Sequence, residues 1–164
     1  MIGNDIIDLA LAKKQSNWQR RGFLDKIFTA KEQRWLAASN DTESAVWILW
    51  SMKESAYKIM NRETGMRSLN PSRFECVINY DGVLPHDGNV IFDDKLLFTR
   101  TIVTSQKIDT IAAADYNDLA RILELPADQV VFKADGLPFI IINETMHPIS
   151  VSHHGRFIKK VWIN

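Results

Sequence analysis

The segment WILWSMKESAYKIM, residues 47–60, constrains this chain more than any other stretch. Placed on a helix at about 100° per residue, Ala45, Ile48, Leu49, Met52, Ala56, Ile59 and Met60 form one apolar stripe. Such a stripe has to face a core. Trp47, Trp50, Ser51, Glu54 and Lys58 fall on the opposite face. Glu54 and Lys58 are one helical turn apart, so one reading is a solvated face with a single weak ion pair. Two tryptophans on the same face favour another reading, in which that face meets a second surface or a ligand. Periodicity leaves both open.

The remaining pattern predicts where this helix sits. The start, MIGNDIIDL, reads as a short strand, and Asp8 can cap a helix after it. Thr29 with Glu32 three residues on is a capping-box signature before a second helix. Asn40 and Glu43 repeat it before the long helix, and Gly65 is placed to end that helix. RFECVINY and LLFTRTIVTSQKIDTIAAADY read as strands, the latter with a turn near SQKID. Residues 81–95 are expected to form the longest loop, and DYNDLARILEL a short helix stopped by Pro126. QVVFKADGLPFIII reads as strand, turn at Asp135-Gly136, strand, and HPISVSHHGRFIKKVWIN as a hairpin about HHG. Early helices and later strands predict an α+β fold, an antiparallel sheet packed with a long helix. No linker divides the chain, so residues 1–164 are expected to form a single domain.

Composition removes several function classes. Hydrophobic residues are 46% and charged residues 24%, as in ordinary globular proteins, and the formal net charge of +0 argues against a general nucleic-acid binder. Lys13, Lys14, Arg20, Arg21 and Lys26 nevertheless gather near the N-terminus, either as a solvated face or as a dock for an acidic partner. One cysteine, Cys76 in the apolar run FECVI, excludes an internal disulfide and reads as a buried thiol. No run approaches the ~20 apolar residues of a membrane span, and MIGNDIIDLA lacks the pattern of a signal peptide. A cytoplasmic protein is expected.

Besides the long helix, two stretches could carry chemistry. Asp5 lies in the apolar strand IGNDII, where an ionised carboxylate needs a partner or a metal, and Gly3 beside it permits close backbone approach. If Asp5 and Glu54 converge, they suit Mg²⁺, which takes one or two carboxylates together with water and substrate phosphates. SVSHHG offers a polar hairpin tip, a zinc site from His147, His153 and His154, or an anion site completed by Arg156. Adjacent histidines on a strand point to opposite faces, which disfavours zinc. No G-x-S-x-G elbow supports a serine hydrolase.

Taken together, GNDIIDL, FTAKE, WSMKESAYK, GLP and SVSHHGR resemble the motif set of the 4′-phosphopantetheinyl transferase superfamily. The order of the motifs resembles the short acyl-carrier-protein synthases; their wording resembles the longer surfactin-synthetase-activating type. The G-K-P lysine is Leu137 here, and an acidic residue common two positions after the metal aspartate is Ile7. The resemblance implies a phosphopantetheinyl-transferase-like fold. It implies an enzyme that moves the phosphopantetheine arm of coenzyme A, with Mg²⁺, onto a serine of an apo acyl or peptidyl carrier protein, releasing adenosine 3′,5′-bisphosphate. Asp5 and Glu54 would hold the metal, and Glu54, Lys58 and Glu32 would act in catalysis. Lys53, Lys58, Gly136, Pro138, Ser152 and His153 would bind coenzyme A. A homo-oligomer, a trimer by analogy with the short enzymes, would share sites between subunits, with His153 of one chain reaching Asp5 and Glu54 of the next. Two alternatives remain: a non-catalytic binder of coenzyme A or carrier domains, and a Mg²⁺-dependent phosphatase.

Overall fold

The computed structural model describes residues 1–78 and 86–164. β1 (Ile2–Asp8) leads into α1 (Leu9–Gln15), α2 (Phe23–Ile27), α3 (Ala30–Ala38) and the long α4 (Thr42–Thr64). β2 (Phe74–Ile78), β3 (His86–Phe92), β4 (Lys95–Val103) and β5 (Lys107–Ala113) then build an antiparallel sheet in the order β1-β5-β4-β3-β2. β6 (Ile122–Leu125) pairs with the closing hairpin of β10 (Ser150–His154) and β11 (Phe157–Ile163). β7 (Phe132–Ala134), β8 (Leu137–Ile142) and β9 (Thr145–Pro148) form a further three-stranded sheet. The α+β architecture and the antiparallel sheet behind a long helix are as the sequence predicts. Among the described residues no helix is long and apolar enough to cross a membrane.

The predicted stripe of α4 is the core. Leu49, Met52, Ala56, Ile59 and Met60 are buried with Phe74, Val90, Leu97 and Ile108 of the sheet. The burial is wider than the stripe, because Trp47, Ser51, Lys53 and Ser55 are buried as well. β1 covers the side of α4 that carries Ser55 and Lys58, and Gly3 is what lets it do so, whereas Lys53 is buried against Glu32. A Cβ on Gly3 would stand 2.0 Å from the Ser55 carbonyl oxygen and 3.3 Å from Lys58 Cβ. Since that obstacle is helix backbone, Gly3→Ala is expected to cost about 3 kcal/mol or more, at the upper end of overpacking effects. A urea midpoint equal to that of the parent would show that β1 has room to retreat.

Helix ends follow local chemistry. Asp8 caps α1 and Thr29 with Glu32 makes a complete capping box on α3, as expected. Gly65 ends α4 in the left-handed conformation at φ 71°. The start of α4 differs by one residue: Asp41, not Asn40, accepts from Ser44 N at 3.0 Å. An ionised cap also complements the positive end of the helix, which favours the aspartate.

Two other expectations are corrected. Within the expected loop, residues 86–95 are mostly strand: Val90 and Phe92 face the core and a turn at Asp93-Asp94 joins β3 to β4. Asp, Gly and Asn in HDGN suggest a loop, but burial of alternate residues outweighs propensity. Residues 81–85 of that expectation lie outside the described residues. DYNDLARILEL is a 3₁₀ turn, Tyr116–Arg121, followed by β6, whose backbone pairs with the β11 edge from Ile122↔Ile163 to Leu125↔Lys160. Tertiary pairing overrides a helical pattern there.

Candidate active site

Asp5 reaches the site because β1 lies so close to α4. Its carboxylate faces the same cavity, about 250 Å³, as Glu54, Trp47, Trp50, His153 and His154. The two tryptophans of the polar helix face thus line a cavity rather than bulk solvent, and Trp47 is itself buried. Lys58 stands one turn beyond Glu54. Its ammonium donates to the Asn4 carbonyl at 2.5 Å and the Val151 carbonyl at 3.2 Å, and lies 3.9 Å from Asp5 Oδ1. One cation therefore ties β1, β10 and α4 together beside both carboxylates.

The charges are unbalanced. Burial pushes the Asp5 carboxyl above its usual range, although Lys58 and the Ser51 hydroxyl favour the ionised form. Burial, then the negative charge of Asp5, pushes Glu54 up to about 7, with Lys58 opposing. Burial lowers Lys58, against the pull of both carboxylates. Two desolvated carboxylates share one ammonium, so a further cation would be stabilised at this place. Oxygen donors from two separate elements suit a hard ion such as Mg²⁺. Among the described residues no group of three or more His, Cys, Asp or Glu side chains forms a denser metal cage.

The closing hairpin completes the cavity in an unusual way. β1 is an edge strand of its sheet, yet β10 meets that edge with side chains. Ser150 Oγ accepts from Asn4 N at 3.0 Å, and His154 Nδ1 accepts from Asp8 N at 2.9 Å. Ser152 Oγ accepts from Asn4 Nδ2 at 2.7 Å. Alternate residues of SVSHH thus face β1, and Gly155 at the turn sits against Asp8, whose Oδ2 a Cβ there would meet at 2.6 Å. Ser152 is buried in this seam and braces Asn4, while His153 is exposed at the cavity rim. All of this happens within one chain. His153 thus stands at the rim of the cavity that Asp5 and Glu54 of the same chain line.

Other predicted site residues lie elsewhere. Glu32 and Lys53 are fully buried against each other, Nζ to carboxylate at 2.8 Å. Lys53 also donates to the carbonyls of Pro71 and Phe74. The Glu32 oxygens accept from Thr29 N at 2.7 Å and Cys76 N at 2.6 Å. Every donor and acceptor of the pair is thus engaged inside the protein, and neither residue lines the cavity of Asp5 and Glu54. The structure places both in a buried tie between α3, α4 and β2, apart from that cavity. Cys76 is buried beside them, and burial pushes its thiol up. Gly136 sits at φ 81° in the β7–β8 turn with Pro138 at the start of β8. Neither lines the cavity, although Arg62 of α4 reaches toward the Pro138 carbonyl at 3.5 Å.

Sequence reasoning gave His154 only a share in a disfavoured zinc site or a polar hairpin tip, although the alternation Ser150, Ser152, His154 carried the signal that it faces inward. It also set no account by Asn4, whose buried amide and backbone bind both serines.

The family model described as the 4′-phosphopantetheinyl transferase superfamily matches residues 1–100. A search of the curated proteins finds no match. The matched stretch contains Asp5, Glu54 and Lys58 and ends within β4; the closing hairpin lies beyond it. With Asp5 and Glu54 lining one cavity, Lys58 beside Asp5 and the family match spanning more than half of its residues, the chain belongs to the 4′-phosphopantetheinyl transferase superfamily.

Proposed function

We propose that this transferase moves the 4′-phosphopantetheine arm of coenzyme A to a serine of an apo acyl or peptidyl carrier protein, as a holo-acyl-carrier-protein synthase does, and that it needs Mg²⁺. The observation that carries this reading is the meeting of Asp5 and Glu54 from different elements beside Lys58 in one cavity. Mg²⁺ held by the two carboxylates would neutralise the diphosphate and polarise the phosphorus under attack. The serine oxygen of the carrier bonds to the β-phosphorus, and the bond from that phosphorus to the bridging oxygen breaks. Adenosine 3′,5′-bisphosphate leaves with the electron pair. Lys58 is placed to stabilise charge on the transferring and leaving oxygens. Glu54, or a water held by the metal, would take the serine proton.

Carrier docking has support on the same side. Ala12, Ser16 and Phe23 line the cavity, and the exposed Lys13, Lys14, Arg20 and Arg21 lie on the same short stretch of chain. An acidic carrier would meet them as its serine approaches.

The decisive experiment incubates the protein with coenzyme A, Mg²⁺ and apo carrier, and weighs the carrier by mass spectrometry. A gain of one phosphopantetheinyl group is expected, and none when Mg²⁺ is chelated. Cleavage of coenzyme A without any carrier would indicate a phosphatase. Binding of coenzyme A with no change in the carrier would indicate a binding module.

A further inference from the structure

His154 faces the same cavity as Asp5 and Glu54, and one of its ring nitrogens is already committed. Nδ1 accepts a hydrogen bond from the Asp8 backbone N–H at 2.9 Å. An accepting Nδ1 carries no proton, so the neutral ring must carry its proton on Nε2. An Nε2 that keeps its proton cannot ligate a metal; it can only donate. The ring is fixed from several sides. β10 is pinned to β1 by Ser150 and Ser152, and Gly155 closes the turn against Asp8 without room for a side chain.

We propose that His154 is a substrate-binding residue whose Nε2–H donates to an oxygen of the coenzyme A diphosphate. Its place on the side of the cavity formed by β1 puts this donor near Asp5, where the diphosphate has to lie if Asp5 and Glu54 act on it. A neutral donor suits that place. It contributes a hydrogen bond to the anion and adds no charge to compete with the cation that the carboxylates call for. The inference rests on the coenzyme A reading above, and direct binding separates the two.

Two substitutions isolate the donor. His154→Asn keeps an acceptor near the Nδ1 position for Asp8 N–H but has nothing at the Nε2 position. His154→Gln can place an amide N–H where Nε2–H was. Calorimetric titration of the protein with coenzyme A and Mg²⁺ gives the dissociation constant. His154→Asn is expected to weaken binding about tenfold or more, as loss of a hydrogen bond to a charged group does. His154→Gln is expected to stay within about threefold of the parent. The same loss is expected with dephospho-coenzyme A, which keeps the diphosphate and lacks the 3′-phosphate. The proposal is overturned if His154→Asn binds as tightly as the parent, or if His154→Gln loses as much as His154→Asn. It is also overturned if the loss disappears with dephospho-coenzyme A, since the contact would then be to the 3′-phosphate. No binding of coenzyme A by the parent removes the functional reading and this inference with it. An unfolded His154→Asn leaves the outcome to the glutamine variant: retained affinity supports the donor and lost affinity overturns it.

Discussion

Asp5→Ala and Glu54→Ala are each expected to reduce phosphopantetheinyl transfer by at least about a thousandfold at any practical Mg²⁺ concentration, because a single carboxylate holds Mg²⁺ weakly and the lost polarisation is central to phosphoryl transfer. Metal binding itself gives an independent measure. Titration with Mn²⁺ followed by electron paramagnetic resonance should show a site in the parent and none in either variant. The pH dependence follows from Glu54. Its folded-state value of about 7 lies above the usual glutamate range, so near pH 6 the metal-free folded state holds a proton that the unfolded state has released. Metal-free stability should therefore fall as pH rises from roughly 4.5 to 7. Metal binding displaces that proton, so affinity should climb over the same interval and level off above it. Full activity in Asp5→Ala would mean that the strand carboxylate is structural and that the site has been placed wrongly.

The second large effect concerns stability. Lys53→Met should destabilise the protein by about 3–5 kcal/mol, because it leaves the Glu32 carboxylate buried without its partner. Chemical denaturation would show this as a lower midpoint with little change in slope. The result also decides what kind of residue Lys53 is. A tie between α3, α4 and β2 predicts that the folded variant binds coenzyme A as the parent does. A tenfold weaker affinity with an unchanged midpoint would make it a phosphate ligand, the role suggested by its place in the WSMKESAYK motif.

Lys53 shows why the site was only partly legible from sequence. Adjacent positions on a helix point about 100° apart, so the neighbours Lys53 and Glu54 cannot both face one cavity. Which of them faced inward depended on where β1 and α3 would lie. The apolar stripe of α4, its glycine stop, the capping box at Thr29 and the hairpin at HHG all follow from local spacing, and the structure has them. Gly3 was legible as a place of close approach; what approached it was not, because the contact joins β1 to residue 55 on α4. The 3₁₀ turn and β6 escaped for the same reason. ARILEL carries a helix-compatible pattern, and only the free edge of β11 makes it a strand. The resemblance to known enzymes named Asp5, Glu54 and Lys58 together, whereas spacing alone supplied only the last two as neighbours. That resemblance also suggested a site shared between subunits, which no local pattern could test. Within one chain, the side-chain bonds from β10 to β1 bring the closing hairpin to the cavity of Asp5 and Glu54.

Those bonds join the two ends of the chain. Ser150 and His154 reach residues 146 positions earlier in sequence, and no strand ladder joins β10 to β1 among the described residues. Contacts so distant in sequence carry a large closure entropy and tend to form late in folding. The sheet and α4 can therefore be in place before the cavity has its far wall.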